Sequence, residues 1–282
     1  MTQAQIDRRV YNRAWDFLLN LGKPGVTRQL IEKYLNPETL APKPVTIPGI
    51  YKRMLESAQN AGMKASVVGR AIGGFSNLGR VLYAFDTAKV LAVYGSDSRK
   101  LLNVIEARLK PAGKVRRTSR SIWPKYCQCI LSAARFLTQF KTAQEFYRFA
   151  DRFDADPRTR AALPMMLDLE IDGIGFALAC DFLKELGYVG YAKPDVHLRF
   201  IFTKLGLCQA KANDYQVFKA VVRVSGSVNQ SPYHVDKLFW LIGSGKFYND
   251  PAIGKKGKIG RHREQFVAMV KQRIPELKRN QD

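Results

Sequence analysis

The chain has 282 residues, enough to bury a substantial core as one large domain or two modest ones. Forty-six Lys and Arg face twenty-four Asp and Glu, giving a formal charge of +22, spread along most of the chain and not gathered in one tail. Such a field attracts polyanions. No apolar run reaches the roughly 18 residues that a membrane span needs, and the N-terminus is polar and charged from Thr2 to Arg13, unlike a signal peptide. The four cysteines, Cys127, Cys129, Cys180 and Cys208, suggest no disulfide framework. A reduced cytoplasmic protein, nucleoid-associated if prokaryotic, is the expectation.

Helical periodicity dominates. Apolar residues at 6, 10, 14, 17, 18 and 21 predict a first helix over 6–21, and 26–34 reads as a short second one. Pro37, Pro42, Pro44 and Pro48 mark an extended linker. Helices are then expected over 51–62, 64–72, 77–94 and 98–109. A basic, polar stretch follows over 111–121, carrying Lys114, Arg116, Arg117 and Arg120. Further helices are predicted over 124–140, 142–153, 158–169, 176–186, 196–205, 214–224 and 232–242. A Gly/Lys loop with Lys255, Lys256, Lys258, Arg261 and Arg263 precedes a last helix over 263–273. Few stretches alternate with period two, so the fold class is all-α, about a dozen helices joined by short loops.

The most informative segment is Ile171-Asp172-Gly173-Ile174-Gly175, with an apolar helix starting at once after it. Its glycines permit positive φ and close approach of another backbone. Ile174 is expected to be buried between them, leaving the amides at the start of the next helix to meet a phosphate. Such a contact positions a protein on a nucleic acid without reading sequence. Asp195 stands 22 residues after Gly173, within Pro194-Asp195-Val196-His197-Leu198. It follows Pro194 and precedes an apolar helix, the position of an N-cap.

Over residues 160–205 the chain resembles the helix-hairpin-helix (HhH-GPD) DNA glycosylase superfamily. Members carry a Leu-Pro-Gly-hydrophobic-Gly hairpin and, about twenty residues on, a hydrophobic-Asp-x-His-hydrophobic motif whose Asp serves base excision. Both glycines, the Asp and the His are present here at the matching interval. A weaker match, Met54-Leu55-Glu56-Ser57-Ala58-Gln59-Asn60, resembles the Leu-Leu-Ser-Ala-Gln segment of endonuclease-III-type glycosylases. There the Gln fills the gap left by an extruded base, a role the resemblance transfers to Gln59 or Asn60.

The resemblance implies a two-lobed helical fold with the active site in a cleft between lobes. The corresponding boundaries are an N-terminal segment over 1–50 packing with the C-terminal lobe, a central lobe over 51–192, and a C-terminal lobe over 193–282. It implies a base-excision glycosylase that extrudes a damaged or modified base from double-stranded DNA, as a monomer, with Asp195 as the key carboxylate. Bifunctional members carry a Lys two residues after the second hairpin glycine. Here that position is Ala177, so a monofunctional enzyme is expected. Leu-Pro is also replaced by Ile171-Asp172. Lys184 and Lys193 are the nearest substitute amines, and a bifunctional glycosylase/lyase using one of them is an alternative; a non-catalytic DNA-binding protein is another. The cysteine spacing does not fit the iron–sulfur cluster of some relatives. No cofactor or metal is expected beyond a structural monovalent cation at the hairpin.

DNA contacts are assigned to Gly173, Gly175, Gln59, Asn60, Arg116, Arg117, Arg120, Lys255, Lys256 and Lys258. The base pocket is assigned to Tyr233, His234, Asp236 and Trp240. Trp123, beside the basic loop, is a candidate either for stacking on a base or for the core. His197 is expected to be a packing residue. Arg199 is expected either to reach a phosphate or to be solvated.

Overall fold

The computed structural model describes residues 1–60, 67–247, 250–254, 257–274 and 277. Among the described residues the fold is all-helical, and the single pairing outside helices is an isolated antiparallel bridge between Lys246 and Lys258. No described helix is long and apolar enough to cross a membrane. The chain divides into two compact units, one formed by residues 1–41 with 187–282, the other by 42–186. These breaks fall earlier than the expected boundaries at 50 and 192.

The first unit contains α1 (Gln3–Leu19), α2 (Arg28–Leu35), α11 (Val196–Lys204), α12 (Asp214–Ser227), α13 (Pro232–Ser244) and α14 (Arg263–Arg273). Local chemistry starts these helices. Thr2 and Gln5 form a capping box on α1, and Asn213 and Gln216 form another on α12. Ser231 caps α13, with Pro232 at its first position. In the core Phe202 packs edge-to-face on Phe239 (5.2 Å between centroids), and Phe239 likewise on Phe266 (6.0 Å). Asp7, fully buried, accepts two hydrogen bonds from the Arg223 guanidinium at 2.8 and 3.1 Å, tying α1 to α12. The fork geometry is the strong form of such a pair.

The second unit contains α3 (Ile47–Ala58), α4 (Val67–Ala71), α5 (Thr87–Tyr94), α6 (Ser98–Leu109), α7 (Ile122–Leu137), α8 (Ala143–Asp154), α9 (Ala162–Glu170) and α10 (Phe176–Glu185). Two buried tyrosines clamp α3 to α7: Tyr51 donates to the Ile130 carbonyl at 2.7 Å, and Tyr126 to that of Leu55 at 2.8 Å. Phe146 of α8 packs on Phe140 and Phe182.

Three expectations are corrected. Pro48 does not belong to a linker: Thr46 caps α3, and Pro48 sits in its first turn, where a missing amide costs nothing. The helix expected over 77–94 is broken into short 3-10 turns at 75–80 and 83–85 before α5. Tyr83, Ala84 and Phe85 all have positive φ, at 52°, 54° and 66°. Burial of Phe85 against Phe75 and Tyr51 outweighs the local helical preference. The helix expected over 158–169 starts later, at Ala162, because Asp156 holds the backbone and guanidinium of Arg158 in a turn. Part of the helix expected over 64–72 lies outside the described residues.

Candidate active site and nucleic-acid interface

In the second unit, α9 ends at Glu170 and α10 begins at Phe176. Ile171 and Ile174 are buried and plug the turn between them. Gly173 has φ +78°, a conformation that disfavours any side chain. Gly175 differs. Its φ of −77° suits any residue, and nothing lies within 4 Å of where its Cβ would be. The fold therefore does not itself require glycine at 175, which leaves its exposed backbone open to close approach from outside.

Two side chains that the sequence reading missed brace this turn. Ser132 Oγ accepts the Asp172 amide at 3.0 Å, and Asp168 Oδ2 accepts the Phe176 amide at 3.1 Å. The first amide of α10 is thus already satisfied by a carboxylate, contrary to the expectation that it faces a phosphate. The amides of Gly173, Gly175 and Ala177 have no hydrogen-bond partner among the described residues. Asp172 is exposed. Lys184 of α10 is buried, with Nζ 3.6 Å from Asp181 Oδ1.

The other expected contacts of this unit separate by environment. Gln59 is 6% exposed, and its Oε1 accepts the Gly69 amide at 3.2 Å, which turns the side chain inward. Asn60, next in sequence, is half-buried. Arg116 and Arg120 are exposed on the basic loop. Arg117 is held back on α6 by Asn103 and by an ion pair with Glu106, so part of its charge is already neutralised. Trp123 is buried in the core. The thiols of Cys127 and Cys129 are pushed up by burial, Cys127 to about 12, so both are inert.

In the first unit, Asp195 is the N-cap of α11. Its Oδ1 accepts the amides of His197 (2.8 Å) and Leu198 (3.0 Å). Its Oδ2 accepts no hydrogen bond among the described residues, so one oxygen is fixed and the other remains available. Burial, reinforced by the nearby carboxylate of Asp236, raises the Asp195 pKa to about 6, against the opposing pull of the two amides and Lys193. Asp236, on α13 and 1% exposed, accepts the Lys193 amide at 2.8 Å and so anchors the loop that delivers Asp195.

His197 packs against α13. Its Nδ1 is buried with no hydrogen-bond partner. Burial first, then Arg263, Arg261 and Lys246, depress its pKa to about 4, so it is neutral at physiological pH. The expected packing role agrees with this environment. Arg199 is engaged by an ion pair with Asp214 and by the Ala212 carbonyl, which draws it away from the phosphate role.

The expected base-pocket group divides. Tyr233 is 1% exposed in the core and Asp236 is committed to the Lys193 loop. Both were assigned to the base pocket, but α13 turns them toward the interior. His234 is half-buried and pairs with the Tyr11 hydroxyl at 2.9 Å, and Trp240 is half-buried. Lys258 is exposed, held by the bridge to Lys246; Lys255 and Lys256 lie outside the described residues. Among the described residues no three His, Cys, Asp or Glu side chains are grouped to hold a metal.

No protein-family model matches the chain, and no curated protein does. Among solved structures it is similar to the crystal structure of the Methanocaldococcus jannaschii 8-oxoguanine glycosylase/lyase in complex with 15mer DNA containing 8-oxoguanine. The identity is 14% and the TM-score 0.44, over 76% of this chain and 87% of that one. At those values the likeness assigns this chain no activity.

Proposed function

We propose that this chain is a DNA glycosylase that releases a damaged or modified base from duplex DNA, with Asp195 as its key carboxylate. The observation that carries the reading is the division of labour at Asp195. One oxygen is locked to the α11 amides, while the other is unbonded and sits on a carboxyl whose pKa is about 6. A fixed carboxylate of this kind stabilises the oxocarbenium character that builds on the sugar as a base departs, and it can orient or deprotonate the attacking water. A base inside the stack is out of reach, so the nucleotide is extruded first.

Three features support the DNA-directed part of the reading. The Gly173–Gly175 turn precedes Asp195 at the interval of the resembled family. The backbone at Gly175 is open to close approach and has amides available. The net charge of +22 suits a polyanionic partner. Ala177 offers no amine at the position where bifunctional enzymes form a Schiff base, and Lys184 is buried beside Asp181, which favours a monofunctional reaction with water as nucleophile. A panel of lesion-bearing duplexes, assayed for free base by mass spectrometry, tests the proposal. Wild type releases a base from at least one duplex and Asp195→Asn does not, while both bind DNA. Equal release by the variant removes Asp195 from the mechanism.

A further inference from the structure

A cavity of about 490 Å³ lies between α1 and α2, lined by Arg9, Asn12, Arg13, Trp15, Asp16 and Arg28. It involves none of the residues used above. Arg9, Arg13 and Asp16 recur at i, i+4 and i+7, which places them along one face of α1. Arg28 opens α2. Three guanidinium groups therefore surround a volume within the range of small-molecule sites, roughly 300–1,000 Å³, and larger than a single phosphate group.

The back of the cavity is rigid. Trp15 Nε1 donates to the Tyr11 hydroxyl at 2.9 Å, and that hydroxyl lies 2.9 Å from His234 Nε2. The Tyr11 phenol thus bridges the Trp15 indole and the His234 imidazole, within hydrogen-bond distance of both. The indole is thereby held still, and the Arg28 guanidinium stands over its ring, 5.2 Å from the centroid. Trp15 itself lines the cavity, and the His234 ring stands 6.3 Å from the indole.

The counter-charges are weak competitors. Arg13 pairs with Asp16 at 3.0 Å and Arg28 with Glu32 at 3.8 Å, and all four side chains are substantially exposed. Pairs in that setting are screened by water and contribute little. A phosphate takes a guanidinium in two parallel hydrogen bonds, so it displaces either carboxylate at small cost. We infer that this cavity is an anion site for two linked phosphate groups, gripped by Arg9, Arg13 and Arg28. Two sources share that chemistry: the backbone of a nucleic-acid strand, and a free oligophosphate such as pyrophosphate.

The test uses the full chain, the double variant Arg9→Gln/Arg28→Gln, and Asp16→Asn, with circular dichroism confirming that each folds. Pyrophosphate is titrated by calorimetry at low salt, and undamaged duplex DNA by fluorescence anisotropy across a salt series. For a free oligophosphate site, the double variant binds pyrophosphate at least tenfold more weakly, Asp16→Asn binds it more tightly, and the DNA salt slope does not change. For a backbone site, the salt slope of the double variant falls by about one for each arginine removed. If the double variant matches wild type in both pyrophosphate affinity and DNA salt slope, the inference is overturned. A gain in neither assay for Asp16→Asn, beside a loss in the double variant, overturns the role assigned to the Arg13–Asp16 pair.

Discussion

Gly243 on α13 lies so close to His197 on α11 that a Cβ at 243 would stand 2.5 Å from the His197 Cβ and 2.9 Å from its Cγ. His197 is two residues from Asp195 and its amide holds the Asp195 carboxylate. The glycine therefore sets how closely α11 and α13 approach, and through His197 it sets where Asp195 stands. Gly243→Ala is expected to lower stability by about 1–3 kcal/mol, as overpacking does, and to reduce base release beyond what the lost folded fraction explains. Urea unfolding gives the first quantity, and assay under conditions where the variant is fully folded gives the second.

The ionisation of Asp195 sets a pH dependence of activity. The proposed chemistry needs the carboxylate, and its pKa is about 6. Single-turnover base release should rise with pH through about 6 and level off above it. A profile flat from pH 5 to 8 assigns the rate to another group.

Stability carries the same shift with a definite sign. The folded pKa of about 6 lies above the unfolded value of roughly 3.9. Between those values the native state holds more protons than the unfolded chain, so the unfolding free energy falls as pH rises across that window. Asp195→Asn keeps an N-cap acceptor and lacks the titration. Relative to wild type, the variant should gain stability from pH 4 to 7, on the order of 2 kcal/mol, with no further gain above. Denaturant melts of both proteins at pH 4, 5, 6 and 7 measure the difference.

The two hairpin glycines separate fold from binding. Gly173→Ala places a side chain at φ +78° and should cost about 1–2 kcal/mol of stability. Gly175→Ala meets nothing and needs no unusual φ, so stability should stay within ~0.5 kcal/mol while duplex affinity drops. An alanine at 175 that binds DNA as wild type does removes close backbone approach from the proposal.

The basic loop gives a graded prediction. Arg116 and Arg120 are exposed, whereas Arg117 is paired with Glu106. Neutralising Arg116 or Arg120 to Gln should each lower the salt slope of DNA binding by about one, and Arg117→Gln by less. Equal effects at all three positions mean that the Glu106 pair opens on binding.

The sequence by itself determined what short-range physics encodes. Periodicity placed most helices, because an apolar stripe must be buried. Cap chemistry placed Asp195 at the start of α11, because an N-cap acts on amides two and three residues away. The glycine spacing made the turn at 171–175 legible, and the burial of Ile174 followed from it. The broken segment at 75–85 was not legible, because packing against Tyr51 of α3, outside the local run, helps decide where Phe85 goes.

Tertiary structure decided which polar groups are spent and which remain. Gln59 is claimed by Gly69, Arg199 by Asp214, and Asp236 by the Lys193 amide 43 residues before it in the chain. No local pattern announces such partners. The same holds for the raised pKa of Asp195, which depends on burial and on Asp236, and for Gly243, whose contact with His197 exists only once α11 and α13 pack. Residue type and spacing nominate a carboxylate; desolvation and long-range neighbours give it its charge state and its free oxygen.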